Sequence, residues 1–190
     1  MMAIKFELNP TTFLVEQAQF IESPNYNARP EAMSIDLVVI HNISLPPGEY
    51  ANDYVSDLFT NQLDPQAHPY FEEVYQERVS AHFYIRRDGE LIQYVPVDKR
   101  AWHAGKSNFQ GRIACNDFSI GIELEGSDND PFIEIQYDVL AALVKCLQIS
   151  YPAISNQENI VGHDQIAPGR KTDPGEYFDW DKLWLKLGSN

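Results

Sequence analysis

The sequence predicts one domain of the α/β (α+β) class, and three segments carry this prediction. Residues 35–40 are almost all apolar and rich in β-branched side chains, which is typical of a strand buried on both faces. Residues 135–149 carry apolar side chains at helical spacing, the clearest helical pattern in the chain. The turn sequence at residues 87–90 lies between two short apolar segments and predicts an antiparallel hairpin.

Length and composition are those of a single folded unit. The chain has 190 residues, of which 44% are apolar and 12% aromatic, enough to fill a substantial core. The sequence contains no internal repeat and no linker, so the predicted domain extends over residues 1–190. Residues 1–30 are expected to form an irregular N-terminal wrap and residues 31–190 the core, because a Pro-containing segment at residues 23–30 breaks any regular element.

The N-terminal half is predicted to contain both helical and extended segments. Residues 9–20 have weak helical spacing. The strand at residues 35–40 delivers His41 and Asn42 at its carboxyl end, before a Pro-Pro-Gly turn. The elements predicted next are a helix at residues 50–63 and hairpin strands at residues 79–85 and 91–95.

A long connection at residues 99–116 has few apolar positions, and loops of this length tend to be functional. Its Trp102 and His103 are suited to line a site for a sugar or a peptide; alternatively, Trp102 packs on the core as a lid. The elements predicted last are a strand at residues 118–124, a helix at 135–149, a short strand at 160–161 and a closing helix at 177–187.

The charge balance argues against polyanionic partners. Fourteen Lys and Arg against 28 Asp and Glu give a net charge of -14, so the protein repels nucleic acid and anionic lipid surfaces. The N-terminus lacks the pattern of a secretory signal, no segment has the roughly 20 apolar residues that span a bilayer, and Cys115 and Cys146 are too far apart for a disulfide scaffold. We therefore expect a cytoplasmic protein with a small diffusing substrate and with no nucleic-acid, membrane or obligate protein partner.

Two of the five histidines occupy positions typical of functional residues. His41 follows a buried strand, and His163 lies in a Gly- and Pro-containing segment, residues 162–175, that also holds Asp173. A zinc hydrolase needs three protein ligands and one open position, and these two imidazoles with the carboxylate form one such set. No short His-x-x-x-His pair supports this set, and Asp173 equally fits a turn before Pro174.

Three charged residues near these positions have two interpretations each. Glu123 and Glu125 project from the same face of a predicted strand, so either one acts as a general base or both simply form the solvated side. Lys171 precedes Asp173 by two residues. If Asp173 binds a metal, Lys171 is placed to stabilise an oxyanion; otherwise it is an ordinary surface lysine.

Six segments in order along the chain together carry a similarity to one known protein family. The similarity extends over nearly the whole chain, from about residue 23 to residue 180. The segments are VIHNISLPPG at 39–48, DPQAHPYF at 64–71, RVSAH at 78–82, AWHAG at 101–105, NDFSIGIELEG at 116–126 and RKTDPG at 170–175. With these segments the chain resembles the AmpD group of zinc-dependent N-acetylmuramoyl-L-alanine amidases.

This resemblance implies a fold, an activity and a cofactor. The implied fold is a central mixed β-sheet flanked by helices, as in amidases and peptidoglycan recognition proteins. The implied activity is zinc-dependent hydrolysis of the amide between the lactyl group of N-acetylmuramic acid and L-alanine. The usual substrate of the group is a 1,6-anhydro muropeptide, a small molecule that is processed in the cytoplasm when cell-wall peptidoglycan is recycled.

The resemblance also assigns roles to single residues. The zinc ligands of the group fall at His41, His163 and Asp173. The catalytic carboxylate falls at Glu123 and the stabilising lysine at Lys171. The predicted substrate-binding residues, whose arginines are expected to contact carboxylates of the stem peptide, are Asn42, Arg78, Trp102, His103 and Arg170.

Two alternatives accompany this assignment. The fold also resembles peptidoglycan recognition proteins, some of which bind muropeptides without cutting them. Non-catalytic members typically lack a zinc ligand, whereas all three candidate ligands are present here. A cell-wall amidase that acts on intact polymer outside the cytoplasm is the other alternative, and the missing signal sequence and the net charge of -14 speak against it.

Overall fold

The computed structural model describes residues 4–188, which contain ten strands and five α-helices. The strands are β1 (Gln19–Phe20), β2 (Tyr26–Ala28), β3 (Leu37–Ile43), β4 (Phe83–Ile85), β5 (Leu91–Gln93), β6 (Lys99–Ala101), β7 (Asn108–Phe109), β8 (Arg112–Ile113), β9 (Ser119–Glu125) and β10 (Ile160–Gly162). The helices are α1 (Tyr54–Phe59), α2 (Phe71–Val74), α3 (Glu134–Ser150), α4 (His163–Ile166) and α5 (Trp180–Leu187). None of these helices is long and apolar enough to cross a lipid bilayer.

Six strands form one mixed sheet in the order β1-β5-β4-β9-β3-β10. β3 pairs in parallel with both β9 and β10, and β9 pairs in parallel with β4. β4 and β5 form the antiparallel hairpin that the sequence predicts. Together with helices against the sheet, this order confirms the predicted fold class of a central mixed sheet flanked by helices.

The central strands β3 and β9 bury side chains on both faces of the sheet. On one face, Val38 and Ile122 join a large apolar cluster that includes the inward sides of α3 and α5. On the opposite face, Val39 packs in a smaller cluster with loop residues, and α1 and α2 cover the neighbouring strands. His41 and Glu123 are register partners on this second face, towards the carboxyl ends of their strands. The sheet therefore places an imidazole and a carboxyl group side by side.

Two predicted elements have different bounds in the structure. The strand predicted at residues 35–40 is β3, which extends further because its pairing with β9 continues to Ile43. His41 therefore lies within the strand and not after it. The helix predicted at residues 50–63 is shorter in the structure, where only α1 is helical. Leu63 lies after the end of α1 and is nevertheless buried.

Three segments that were expected to lack strong regular structure contain short elements. Residues 99–116 hold β6 and the hairpin β7–β8. The N-terminal wrap is not wholly irregular, because β1 joins the main sheet, β2 pairs with β6, and residues 9–20 form no helix. Residues 162–175 begin with the single turn α4. The strand partners of β1, β2 and β6 are distant in sequence, and all of these elements are too short for a local periodicity to mark them. The domain bounds at residues 1–30 and 31–190 stay predictions, and residues 1–3 lie outside the described part.

A buried arginine ties the N-terminal segment to the sheet. Arg29 donates to the backbone carbonyls of Asn116 and Asp117 through Nη1, and to those of Val97 and Ser119 through Nη2, at 2.9–3.1 Å. Burial lowers the pKa of this guanidinium to about 10. Four carbonyl acceptors thus replace the water that a buried cation loses.

His82 lies next to this arginine and is expected to make stability depend on pH. Burial, reinforced by the charge of Arg29, lowers the pKa of His82 to about 3. The unfolded chain takes up a proton here below about pH 6.5, whereas the folded chain resists it until about pH 3. This contribution to the free energy of unfolding is therefore complete above about pH 6.5 and declines as the pH falls, by up to about 1.4 kcal/mol per pH unit.

The variant His82→Asn tests this expectation, since Asn keeps an acceptor for the Gly121 amide that bonds to Nδ1 at 3.1 Å. Urea unfolding at several values between pH 7 and pH 4 gives the free energy of unfolding of both proteins. The wild-type curve is expected to fall more steeply than the variant curve. Parallel curves would show that His82 takes up no proton on unfolding.

Candidate metal centre and active site

Three potential metal-binding atoms converge at the carboxyl ends of β3 and β10. His41 Nδ1 lies 3.0 Å from His163 Nδ1 and 2.9 Å from Asp173 Oδ2, and His163 Nδ1 lies 3.0 Å from the same oxygen. These residues form a group that can hold a metal ion. A tetrahedral ion with bonds of about 2.0 Å separates its ligands by about 3.3 Å. The observed triangle is close to this size, and its two imidazoles and one carboxylate form a donor set that fits zinc.

The charges of these residues suit a cation. Burial lowers the pKa of His41 to about 4, so its imidazole is neutral and offers a lone pair. Burial opposes the ionisation of Asp173, but hydrogen bonds with His163 and His41 outweigh it and hold the pKa of this carboxyl well below its usual range. Two imidazole nitrogens 3.0 Å apart cannot both carry a hydrogen directed at the other. The two nitrogens and the carboxylate oxygen lie 2.9–3.0 Å from one another, so their lone pairs can point to one shared cation.

The sheet and a closed loop bring the three residues together. β10 pairs with β3 so that Gly162 lies opposite Ile40, and the next residues of the two strands are His163 and His41. The loop from His163 to Asp173 is closed where the amide of Asp164 donates to the carbonyl of Asp173 at 3.0 Å. The three ligands are thus close although 122 residues separate the two histidines.

A clamp of three side chains holds the segment that carries Lys171 and Asp173. Asn42 Nδ2 donates to Asp128 Oδ1 at 2.7 Å and to the carbonyl of Pro174 at 3.0 Å. The hydroxyl of Thr172 donates to the other oxygen of Asp128. Asn42 was predicted to bind substrate, but in the structure both of its amide hydrogens are used inside the protein.

Glu123 and Glu125 have different environments, although both are buried. Glu123 is 8% exposed and Glu125 is 2% exposed, so the interpretation of a solvated strand face is wrong. Glu125 accepts hydrogen bonds from the amides of Ala51 at 2.6 Å and Arg87 at 2.8 Å. Glu123 Oε2 is buried and has no hydrogen-bond partner among residues 4–188. Glu125 therefore has a structural role as an acceptor for backbone amides, and Glu123 has an oxygen available to a bound molecule.

The pKa of Glu123 is set by its position beside the cluster. Burial raises this pKa well above its ordinary value, the charge of Asp173 raises it further, and the charge of Lys171 opposes the rise. Lys171 is exposed, and its ammonium forms no ion pair or hydrogen bond with another described residue. Its effect on Glu123 and on His41 places its charge near the cluster.

Trp102 and His103 were predicted to line the substrate site together, but in the structure their side chains contact different parts of the protein. Trp102 is half-buried, and its Nε1 donates to Asn27 Oδ1 at 2.7 Å. His103 lies against the metal cluster, with its Nδ1 2.9 Å from His41 Nε2 and its Nε2 3.2 Å from the hydroxyl of Ser119. His103 thus contacts a candidate ligand directly.

The two predicted substrate arginines also differ. Arg170 donates through Nη2 to the carbonyls of Ala104 at 2.7 Å and Lys106 at 2.8 Å, which braces the loop beside His163. Arg78 is exposed, and its guanidinium reaches the carbonyls of Tyr75 and Glu77 at 3.4 Å, so the structure does not join it to the cluster. The sequence reasoning missed residues that support the site, because their partners are distant and no local pattern marks them: Asn116, Ser119 and Asp128.

Comparisons with known proteins identify the family of this chain. A family model described as N-acetylmuramoyl-L-alanine amidase matches residues 31–176. The 1,6-anhydro-N-acetylmuramyl-L-alanine amidase AmpD of Salmonella typhimurium strain SL1344 is 57% identical over 171 residues, which are 90% of each chain. A crystal structure of a selenomethionine derivative of AmpD superposes with a TM-score of 0.90 at 53% identity and covers 93% of this chain and 97% of its own.

A more distant structure contains a bound substrate. The amidase AmiD from Escherichia coli, in complex with anhydro-N-acetylmuramic acid-L-Ala-D-gamma-Glu-L-Lys, superposes with a TM-score of 0.61 at 30% identity. The superposition covers 85% of this chain and 61% of AmiD. The extent of the family match and the identity to AmpD both exceed what a shared fold alone produces. The chain therefore belongs to the N-acetylmuramoyl-L-alanine amidase family and, within that family, to the AmpD type.

Proposed function

We propose that this protein is a zinc-dependent amidase that hydrolyses the bond between the lactyl group of 1,6-anhydro-N-acetylmuramyl peptides and L-alanine. The cytoplasmic recycling of peptidoglycan is the proposed setting. The single observation that carries the proposal is the group of His41, His163 and Asp173 beside Glu123, whose buried oxygen has no partner among the described residues. The AmpD relatives and the substrate of AmiD support the choice of muropeptide.

His41, His163 and Asp173 are proposed to hold the zinc ion through two imidazole nitrogens and one carboxylate oxygen. When bound, zinc supplies Lewis acidity that makes a nearby water molecule more acidic and polarises a carbonyl oxygen. The chain contributes a neutral, buried His41 and an ionised Asp173, because their pKa values are both low. No proton has to leave His41 before it can act as a ligand.

Glu123 is proposed to move the proton. Its free Oε2 accepts a proton from the water that attacks the lactyl carbonyl, and the same carboxyl then donates it to the departing amine of L-alanine. A raised pKa suits this role because the carboxyl must both take up and release a proton near neutral pH. Burial on the sheet face keeps the carboxyl in one position throughout.

Lys171 is proposed to stabilise the negative charge that develops on the carbonyl oxygen. Its exposed ammonium has no partner among residues 4–188 and lies near enough to influence Glu123. Substrate contacts by Asn42, Arg78, Trp102 and Arg170 remain part of the proposal, whereas His103 lies against the candidate ligand His41. Among these, Arg78 and Arg170 are exposed cations without a carboxylate partner among the described residues, which suits a stem-peptide carboxylate.

The variant Lys171→Met is expected to keep zinc and to lose turnover. Methionine fills a similar volume without the charge, and loss of one oxyanion-stabilising group lowers kcat about 10²- to 10³-fold. Steady-state kinetics with a zinc assay of the same sample measures both properties. Lys182→Met is the matched control, because Lys182 pairs with Glu134 on the surface of α5. Near-native turnover of Lys171→Met would show that Lys171 does not stabilise the oxyanion.

The direct test of the function is incubation with anhydro-N-acetylmuramyl tripeptide, with and without a chelator. Mass spectrometry is expected to detect free tripeptide and anhydro-N-acetylmuramic acid only when zinc is present. Binding of the muropeptide without release would support a recognition protein instead. Equal release with and without the chelator would contradict zinc dependence, and cleavage at another bond would contradict the amidase assignment.

A further inference from the structure

We infer that His103 and Ser119 are positioning residues that fix the tautomer and the orientation of His41 as a metal ligand. This inference rests on the proposed function, because it concerns how the same cluster holds its ion. It differs from the sequence-based expectation that His103 lines the substrate site. It also assigns a purpose to Ser119, a fully buried residue that the reaction itself does not use.

The three side chains form one line of polar contacts that leads away from the metal-binding atoms. His41 directs Nδ1 towards His163 and Asp173, and its other nitrogen, Nε2, lies 2.9 Å from His103 Nδ1. The opposite nitrogen of His103 lies 3.2 Å from Ser119 Oγ. The imidazoles of His41 and His103 meet edge to face at an interplanar angle of 86°.

Hydrogen positions along this line follow from one requirement. A metal ligand at His41 Nδ1 must offer a lone pair, so the ring hydrogen of a neutral His41 must be on Nε2. Nε2–H then donates to His103 Nδ1, which leaves the hydrogen of neutral His103 on its own Nε2. That second N–H donates to the hydroxyl oxygen of Ser119. Each contact is satisfied in only this arrangement when His41 uses Nδ1 as a ligand.

The surroundings of His103 keep its ring in place. The His103 ring lies over Gly121 of β9, where a Cβ atom would overlap the imidazole. Asn116 Oδ1 accepts hydrogen bonds from the amides of His103 at 3.1 Å and Ala104 at 2.8 Å. The missing side chain at Gly121 leaves room for the imidazole, and the hydrogen bonds of Asn116 hold the backbone that carries it.

The second histidine of the cluster is oriented in a corresponding way. His163 Nε2 lies 3.1 Å from the carbonyl of Ala104, so its N–H has an acceptor and its Nδ1 is left as the ligand. A metal-binding histidine commonly donates its other N–H to a carbonyl or carboxylate, which fixes the ring and the tautomer. For His41 the acceptor is a side chain, His103, and it can be changed by mutation without altering the backbone.

Zinc affinity of the full-length protein tests the inference. His103→Leu removes the acceptor and is expected to weaken zinc binding about 10- to 100-fold in competition with a chromophoric chelator. His103→Asn places an oxygen near the former Nδ1 and is expected to restore most of the affinity. Ser119→Ala removes only the end of the line and is expected to cause a smaller loss. His68→Leu is the control, since the ring of His68 packs near Phe71 and not on the cluster.

A spectroscopic measurement separates positioning from mere packing. In the zinc-loaded wild type, nitrogen NMR is expected to show the hydrogen of His41 on Nε2 and a scalar coupling across the hydrogen bond to His103 Nδ1. A hydrogen on His41 Nδ1, or no coupling to His103, would overturn the inference. This readout uses the wild type, so it decides the matter even when His103→Leu fails to fold.

The two proposals fail in distinguishable ways. A wild type that neither binds zinc nor releases peptide removes the proposed function. If the wild type does both and a folded His103→Leu variant binds zinc with unchanged affinity, only the positioning role of His103 is excluded. With zinc saturating, the positioning role predicts that KM of His103→Leu stays close to the wild-type value. An isolated rise of KM with unchanged zinc affinity would return His103 to the substrate wall.

Discussion

Glu123→Gln is expected to bind zinc as the wild type does and to lose almost all peptide release. Glutamine has nearly the same shape but cannot take a proton from the attacking water. Acid and base catalysis by a positioned side chain contributes about 10²- to 10⁴-fold, and kcat is expected to fall by a factor in this range. Burst and steady-state release of tripeptide, followed with a zinc assay, measures the two effects separately.

Glu125→Gln is the matched comparison on the same face of the same strand. Glu125 accepts from two backbone amides, and glutamine retains only one acceptor oxygen for them. Its expected effect is on stability, with a loss of about 1–3 kcal/mol for the unsatisfied buried amide and little change in kcat. If Glu125→Gln abolished release and Glu123→Gln did not, the assignment of the catalytic carboxyl would be wrong.

Asp173→Asn is expected to lose both zinc and turnover. The change removes the only carboxylate of the candidate ligand set but keeps the size of the side chain. In the wild type, zinc at 100 times its Kd is expected to raise the free energy of unfolding by about 2.7 kcal/mol, because the ion binds the folded state. The variant is expected to show no such gain at the same zinc concentration. Urea unfolding with and without zinc measures the difference.

Asp164→Asn is the control for this experiment, since Asp164 lies in the same segment and outside the candidate ligand set. It is expected to keep zinc-dependent stabilisation and peptide release. A zinc response in Asp173→Asn equal to that of the wild type would exclude Asp173 as a ligand. A lost response in Asp164→Asn alone would move the carboxylate ligand to that position.

Local patterns predicted the parts of the fold that depend on local interactions. The apolar spacing of α3 corresponds to its buried side, and the turn at residues 87–90 joins β4 and β5 as predicted. Short strands such as β1, β2 and β6 were missed. Their stability comes from pairing with residues far along the chain, and two or three residues show no periodicity.

The environment of the two glutamates shows the limit of such patterns. Alternating acidic residues on a strand ordinarily indicate a solvated face, and here both are buried. Glu125 is compensated by amides of Ala51 and Arg87, which belong to other elements. Glu123 has a neighbour in His41 only because β3 and β9 pair in one register. The resemblance assigned the catalytic carboxylate to Glu123, and the tertiary structure gives the physical difference between the two residues: the partners of Glu125 are backbone amides, whereas an oxygen of Glu123 has no partner among the described residues.

The sequence by itself determined the fold class, the main strands and helix α3, and six segments marked the family. It grouped His41, His163 and Asp173 as one possible ligand set and assigned them as ligands only through the family resemblance, because local patterns carry no information on contacts between distant parts of the chain. The parallel pairing of β3 with β9 and β10 decided which side chains meet. It also decided the place of His103, which local pattern assigned to a substrate wall and which the sheet instead sets against a candidate metal ligand.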